Sequence, residues 1–184
     1  MQKPRPGSRR LHAGRRLGHK QAPPRLVPGP GSRPGFDATE NSYDTSTAVR
    51  HRFPGARIIG VEPEVANDWV LSLRAGERIL IDPPPTIADG VRTRIPGVNN
   101  FAQVRATVDD VLTVTEAEIR AAVRFLAQRM KLVVEPTGAI PVAMLFSGRL
   151  GDLRGKRVGL VISGGNVDAD VLCEILNEPG ASES

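Results

Sequence analysis

The sequence predicts an α/β fold with a mainly parallel sheet, and three observations carry that prediction. Short apolar runs at residues 57–61, 111–114 and 157–163 have strand length. Between them lie stretches with helical spacing, of which 115–130 is the clearest. Strand-like and helix-like stretches alternate along the chain, an order that favours parallel pairing through crossover helices.

Taken in order, residues 45–52 (TSTAVRHR) read as a helix, and Pro54-Gly55 as a turn into the buried strand RIIGV. Residues 66–76 read as a helix with Val70, Leu71 and Leu73 inward and Gly76 as its stop; Asp68 is a candidate N-cap. Residues 79–81 form a short expected strand closed by Pro83, Pro84 and Pro85. The alternation of Val104, Ala106 and Val108 predicts another strand, and VLTV at 111–114 a further one. Thr115 and Glu118 have capping-box spacing, with Val114 positioned to staple onto Ile119. Ile119, Ala122, Val123, Leu126 and Met130 then recur on one helical face. After Glu135-Pro136-Thr137 an apolar helix runs through Val142 to Phe146. Residues 157–163 (RVGLVIS) are apolar nearly throughout, as suits a central strand covered on both faces. Val167, Val171, Leu172 and Ile175 line the last helix; Asn166 is its expected cap, and Cys173 an expected core residue.

Charge divides unevenly along the 184 residues. Residues 1–36 hold nine Lys or Arg and no acid, whereas the other 16 basic and 20 acidic residues leave −4 on the remainder. The high isoelectric point therefore belongs to a leader rich in Arg, Pro and Gly, with too few bulky apolar side chains to offset chain entropy. The expected division is a disordered tail at 1–44, a folded domain at 45–176 and a flexible end at 177–184. Charge alone would draw the leader to phosphates, but no aromatic residue is interleaved for base stacking, so nucleic acid is the weaker reading. Seven prolines in 36 residues oppose an amphipathic transit helix. The single cysteine excludes an internal disulfide and a thiolate metal cluster. Without a bilayer-length apolar run or a secretory core near the start, a membrane is not an expected partner and the cytoplasm is the expected location.

The run at 157–163 opens into SGGNVD, where Gly164 and Gly165 let backbone approach a ligand closely. Together with EPTGA at 135–139, MKL at 130–132, TIADG at 86–90 and GVEPE at 60–64, this motif resembles the C-terminal half of the serine/threonine dehydratase (threonine ammonia-lyase) and serine racemase family. These are pyridoxal-phosphate (PLP) enzymes of fold type II. The resemblance runs over about residues 45–176 and implies part of a three-layer large domain, PLP as cofactor, and an amino-acid substrate such as L-serine or L-threonine. It implies that the Ser163 hydroxyl bonds the pyridine nitrogen, with Gly164, Asn166, Glu135 and Gly90 lining the cofactor. It further implies that Glu62, Asp68 and the Ala66 carbonyl hold Mg²⁺ or Ca²⁺, an oxygen-rich set suited to a hard cation.

Two family features have no counterpart here. The residues before the 45–52 helix are PGFDATENSYD, where the family has a glycine-rich phosphate loop. None of Lys3, Lys20, Lys131 and Lys156 stands in an SFKxRG-like Schiff-base motif, so no catalytic residue is assigned. The expectation is a dehydratase-like polypeptide that is catalytically incomplete alone. Its alternatives are a non-catalytic remnant, or one half of a split enzyme whose other chain carries the N-terminal part. A homo-oligomer is a further expected association, because a half-domain exposes sheet edges and apolar faces. Substrate choice and the distinction between dehydratase and racemase stay open.

Overall fold

A computed structural model of the chain describes residues 38–178, with side chains from Thr45 onward. Residues 1–37 and the last six lie outside the described residues; of the expected tail at 1–44, residues 38–44 are the first part of α1, and of the expected flexible end at 177–184, Asn177 ends α6. Eight principal elements follow in order: α1 (Ala38–Arg52), β1 (Ile59–Pro63), α2 (Asp68–Ala75), α3 (Val98–Thr107), β2 (Asp110–Val114), α4 (Glu116–Phe125), α5 (Pro136–Phe146) and α6 (Ala169–Asn177). A single 3₁₀ turn spans Asp89–Val91.

β1 and β2 pair in parallel, with Ile59 opposite Asp110 and Pro63 opposite Val114. Gly60 keeps the pair close, since a Cβ there would lie 3.0 Å from the Val111 side chain. Strand alternation sends Leu112 and Val114 to one face, where they join the main core, and Val111 and Thr113 to the other, beside Val70 and Arg74 of α2. Helices thus cover both faces of a parallel pair, in keeping with the α/β class.

α4 starts as its sequence demands. Thr115 Oγ1 accepts from Glu118 N at 3.2 Å while Glu118 Oε2 accepts from Thr115 N at 2.8 Å, the reciprocal capping box. Ile119, Ala122, Val123 and Leu126 are all buried and pack with Ala139, Ile140, Ala143 and Met144 of α5. The expected face ends early. A π turn at Leu126–Met130 inserts one residue per turn more than the α spacing allows, leaving Met130 54% exposed before Lys131 turns left-handed at φ 59°. α6 closes the core with Ile175, which has no exposure. Full burial of an isoleucine stabilises by about 2 kcal/mol. The Arg120–Glu174, Arg120–Glu178 and Arg124–Glu178 pairs run between α4 and α6 and its last turn, at the part-exposed edge. Such pairs each contribute about 0–1 kcal/mol, so Ile175 outweighs any one of them in holding α6.

Several expected elements differ. Residues 104–108 do not form a strand: Phe101, Val104 and Thr107 are the buried positions of helix α3, a three-residue spacing that the 104/106/108 alternation conceals. Residues 79–81 have no strand pairing; Ile81 instead exchanges two hydrogen bonds with Arg94 across the proline loop. The run at 157–163 forms no ladder with any described residue, and Val158, Val161 and Ile162 are exposed although Leu160 packs inward. A strand needs a partner on its edge, and no described segment supplies one there. Leu71 and Phe146 are also exposed, and so is Cys173, which leaves the core to its neighbours Leu172 and Ile175.

Candidate functional site

The five residues expected to contact the cofactor gather where α5 begins. Glu135 precedes α5 and holds the 163–166 turn twice: its backbone N–H donates to the Gly164 carbonyl at 3.3 Å, and its Oε2 accepts from Asn166 N at 3.1 Å. Gly164 adopts φ 78°, and a Cβ there would overlap the Glu135 carboxylate. Only glycine satisfies both the left-handed backbone and this approach. On the other side, Gly138 of α5 lies so close that a Cβ would collide with the Ser163 carbonyl oxygen. The turn is therefore clamped between a glycine below and a carboxylate beside it, which leaves the Ser163 side chain exposed, its hydroxyl without a hydrogen-bond partner among the described residues.

Gly90 reaches the same helix by a different contact. Its N–H donates to Thr137 Oγ1 at 3.0 Å, and a Cβ would crowd that side chain. The loop carrying it is fixed by Glu116 Oε2, which accepts from Ile87 N at 2.8 Å, and by Arg92, which donates from Nε and Nη2 to the Thr86 carbonyl. Sequence reasoning does not single out Thr137, Gly138 or Glu116. The first two lie inside EPTGA, where a glycine two residues into a helix signals a close approach; Glu116 carries no such signal.

Asn166 is not the cap of α6. Asp168 is the residue at that position, and the Asn166 backbone belongs to the Glu135 clamp. Asp68 likewise does not cap α2. Asn67 precedes it without a side-chain bond, and the open amides of the first turn are met from β1, where Glu62 accepts from Trp69 N at 3.3 Å and Val70 N at 2.8 Å.

Glu62 and Asp68 are both buried, and Asp68 accepts from Thr93 Oγ1 at 3.3 Å. Burial pushes the Glu62 carboxyl up to about 8; the Val70 and Trp69 amides pull against it and the neighbouring Asp68 charge adds to it. Two close buried carboxylates favour a cation between them, and Ala66, buried at the turn, supplies a backbone oxygen in the same segment. Among the described residues no cluster of three or more His, Cys, Asp or Glu side chains occurs. The Glu62 carboxylate bonds to α2 and not to the Ser163 cluster. A cavity of about 220 Å³ lies beside β2 and is lined by Asn67, Val70, Arg74, Thr113 and Arg149 among others; it contains none of the candidate cofactor residues.

Comparison with known proteins adds a second line. The family model described as pyridoxal-phosphate dependent enzyme matches residues 45–164. An L-threo-3-hydroxyaspartate ammonia-lyase from a Pseudomonas species is 43% identical over 132 residues, covering 72% of this chain and 41% of the relative. A serine racemase from Schizosaccharomyces pombe is 42% identical over 134 residues, 73% of this chain and 41% of the relative. The crystal structure of a T.th. threonine deaminase superposes with a TM-score of 0.64 at 43% identity, over 68% of this chain and 42% of that one. The chain thus spans about two fifths of the length of these relatives.

Proposed function

The chain belongs to the pyridoxal-phosphate-dependent enzymes, and on that premise we propose that it supplies the ring-nitrogen wall of a PLP pocket in an ammonia-lyase or racemase of the cytoplasm. The relatives' names share a small amino acid with a β-hydroxyl, and this is the proposed substrate class. The observation that carries the reading is the Ser163 hydroxyl, exposed and without a partner among the described residues, at the tip of a turn whose backbone is held from two sides. A solvent-facing hydroxyl on a turn held from two sides can exchange a water for one ligand atom at little conformational cost.

PLP, when bound, withdraws electrons from the α-carbon of an amino acid. Ser163 would meet the ring nitrogen through a neutral hydroxyl, which can donate or accept and does not hold a proton there as a carboxylate would. Glu135 acts one step back as a positioning residue: its bonds to the Gly164 and Asn166 backbone set where Ser163 stands. Gly164 contributes the left-handed bend, and Gly90 a side-chain-free approach over Thr137. Glu62, Asp68 and the Ala66 carbonyl are proposed to hold Mg²⁺ or Ca²⁺, relieving the repulsion of the two carboxylates and fixing the β1–α2 connection.

No lysine of this sequence stands in a Schiff-base motif, so the chain by itself is expected to bind PLP weakly and to release no ammonia from L-serine or L-threonine. A complementary chain carrying that lysine and a phosphate loop would complete the site. The test is a PLP titration followed by quenching of Trp69, the one tryptophan. Weak saturable quenching that Ser163→Ala further weakens supports the reading; quenching that Ser163→Ala leaves unaltered would remove its main support. Ammonia release by the purified chain would overturn the assignment of incompleteness. For the cation, Ca²⁺ or Mg²⁺ is expected to raise the melting temperature through preferential binding to the folded state. Glu62→Gln should abolish that rise, and a rise that persists in Glu62→Gln rejects the site.

A further inference from the structure

We infer that the crevice between α2 and β2 is a binding site for a small aliphatic monocarboxylate. It shares no residue with the candidate cofactor set or the candidate cation set. Three polar side chains line it without a hydrogen-bond or ion-pair partner among the described residues: Asn67 ahead of α2, Arg74 in its last turn and Thr113 on β2. The other charges of the crevice are already matched, since Arg149 stands 3.7 Å from Glu64 and also pairs with Glu118. Arg74 is therefore the lining cation whose charge no described carboxylate meets.

The chemistry of these groups selects the ligand. A guanidinium presents a planar fork that matches the two oxygens of a carboxylate, and the Thr113 hydroxyl and Asn67 amide can each add a donor. The rest of the wall is apolar: Val70 is buried, and Val111 and Leu112 are half-buried. Such a wall favours a hydrocarbon tail, which inorganic phosphate or sulfate lacks. An ammonium group would find Glu64 already facing Arg149, so an amine is the poorer fit. Size sets the tail. At about 30 Å³ for each water, the cavity of about 220 Å³ corresponds to roughly seven waters, and a five-carbon monocarboxylate has as many non-hydrogen atoms.

The experiment titrates the isotope-labelled full chain with 3-methylbutanoate and follows backbone amide shifts, with neither PLP nor a divalent cation present. The expected result is saturable movement of the Val70, Arg74 and Thr113 amides, with Gly164 and Asn166 unmoved. The neutral 3-methylbutanamide, the cationic 3-methylbutylamine and inorganic phosphate should each bind roughly fivefold more weakly or worse, since each lacks either the carboxylate or the tail. Arg74→Gln should raise the dissociation constant roughly fivefold or more, the worth of one charge-assisted bond at a partly exposed site. Arg74→Lys should recover part of the loss, because it keeps the charge but not the fork. Arg74 is exposed and without a partner, so both variants should melt as the parent does. No saturable shift, equal binding of the amide, the amine or phosphate, undiminished binding by Arg74→Gln, or shifts centred on residues 163–166 would each overturn the inference. Because no cofactor is present, failure here leaves the PLP reading standing, and failure of that reading leaves this site untouched.

Discussion

A methyl group at position 138 would have to occupy space already held by the Ser163 carbonyl oxygen, and α5 is too well packed on α4 to retreat. Gly138→Ala should therefore push the 163–166 turn off the helix, losing the Glu135–Asn166 bond and costing about 1–3 kcal/mol. Faster amide exchange at Asn166 with an intact α4–α5 core is the expected signature; an unaltered Asn166 amide would show that the clamp does not depend on this approach. EPTGA and SGGN lie far apart in the sequence, and nothing in either stretch announces that they touch. Their pairing is legible only through the family resemblance. Glu62 is a similar case: its carboxylate serves the first turn of the following helix, a contact that cap statistics for Asn67 or Asp68 do not anticipate.

The end of α1 shows how one side chain joins elements. Arg50 donates to the Thr107, Pro54 and Ala56 carbonyls and pairs with Asp109 at 2.8 Å, while Asp109 also accepts from Ile58 N at 2.6 Å. The Ile58 amide first, and then Arg50, hold the Asp109 carboxyl below its ordinary range. A depressed folded-state value contributes stability above the ordinary carboxylate range, and that contribution is lost as pH falls through the folded value. Asp109→Asn should accordingly flatten the acid limb of a stability–pH curve below about pH 4 and leave its slope near neutrality unchanged. Thermal melts across that range provide the check, and an acid limb as steep as the parent's would refute it. Of the elements themselves, α4 is the most legible, since a capping box and a stripe of Ile119, Ala122, Val123 and Leu126 are local signals. α3 misleads because three alternating small apolar residues suit a strand, while its buried set includes Phe101 and Thr107, which lie outside that alternation.

Across the molecule, the class of fold is readable from the order of apolar runs, yet among the described residues only two of the expected strands pair. Hydrophobic content reports which segments seek burial; it cannot report whether the covering surface is present. Residues 157–163 have the composition of a central strand and the surroundings of an edge. Among the described residues no helix is long and apolar enough to cross a membrane, so this exposed apolar surface is not part of a helical span. The candidate site follows the same division: its glycines are evident as glycines, but the surfaces they fit against become evident only with the fold.

The widened turn at Leu126–Met130 bears on how such a chain can accommodate change. It stores one surplus residue immediately upstream of the segment that leads to Glu135. Shortening the backbone there by a single position would restore ordinary winding and could be absorbed before the clamp is reached. Deleting one residue from this coil is thus expected to lower the melting temperature less than a deletion anywhere from Glu135 to the end of α5, where the backbone is keyed to the opposite turn and the side chains to the interior.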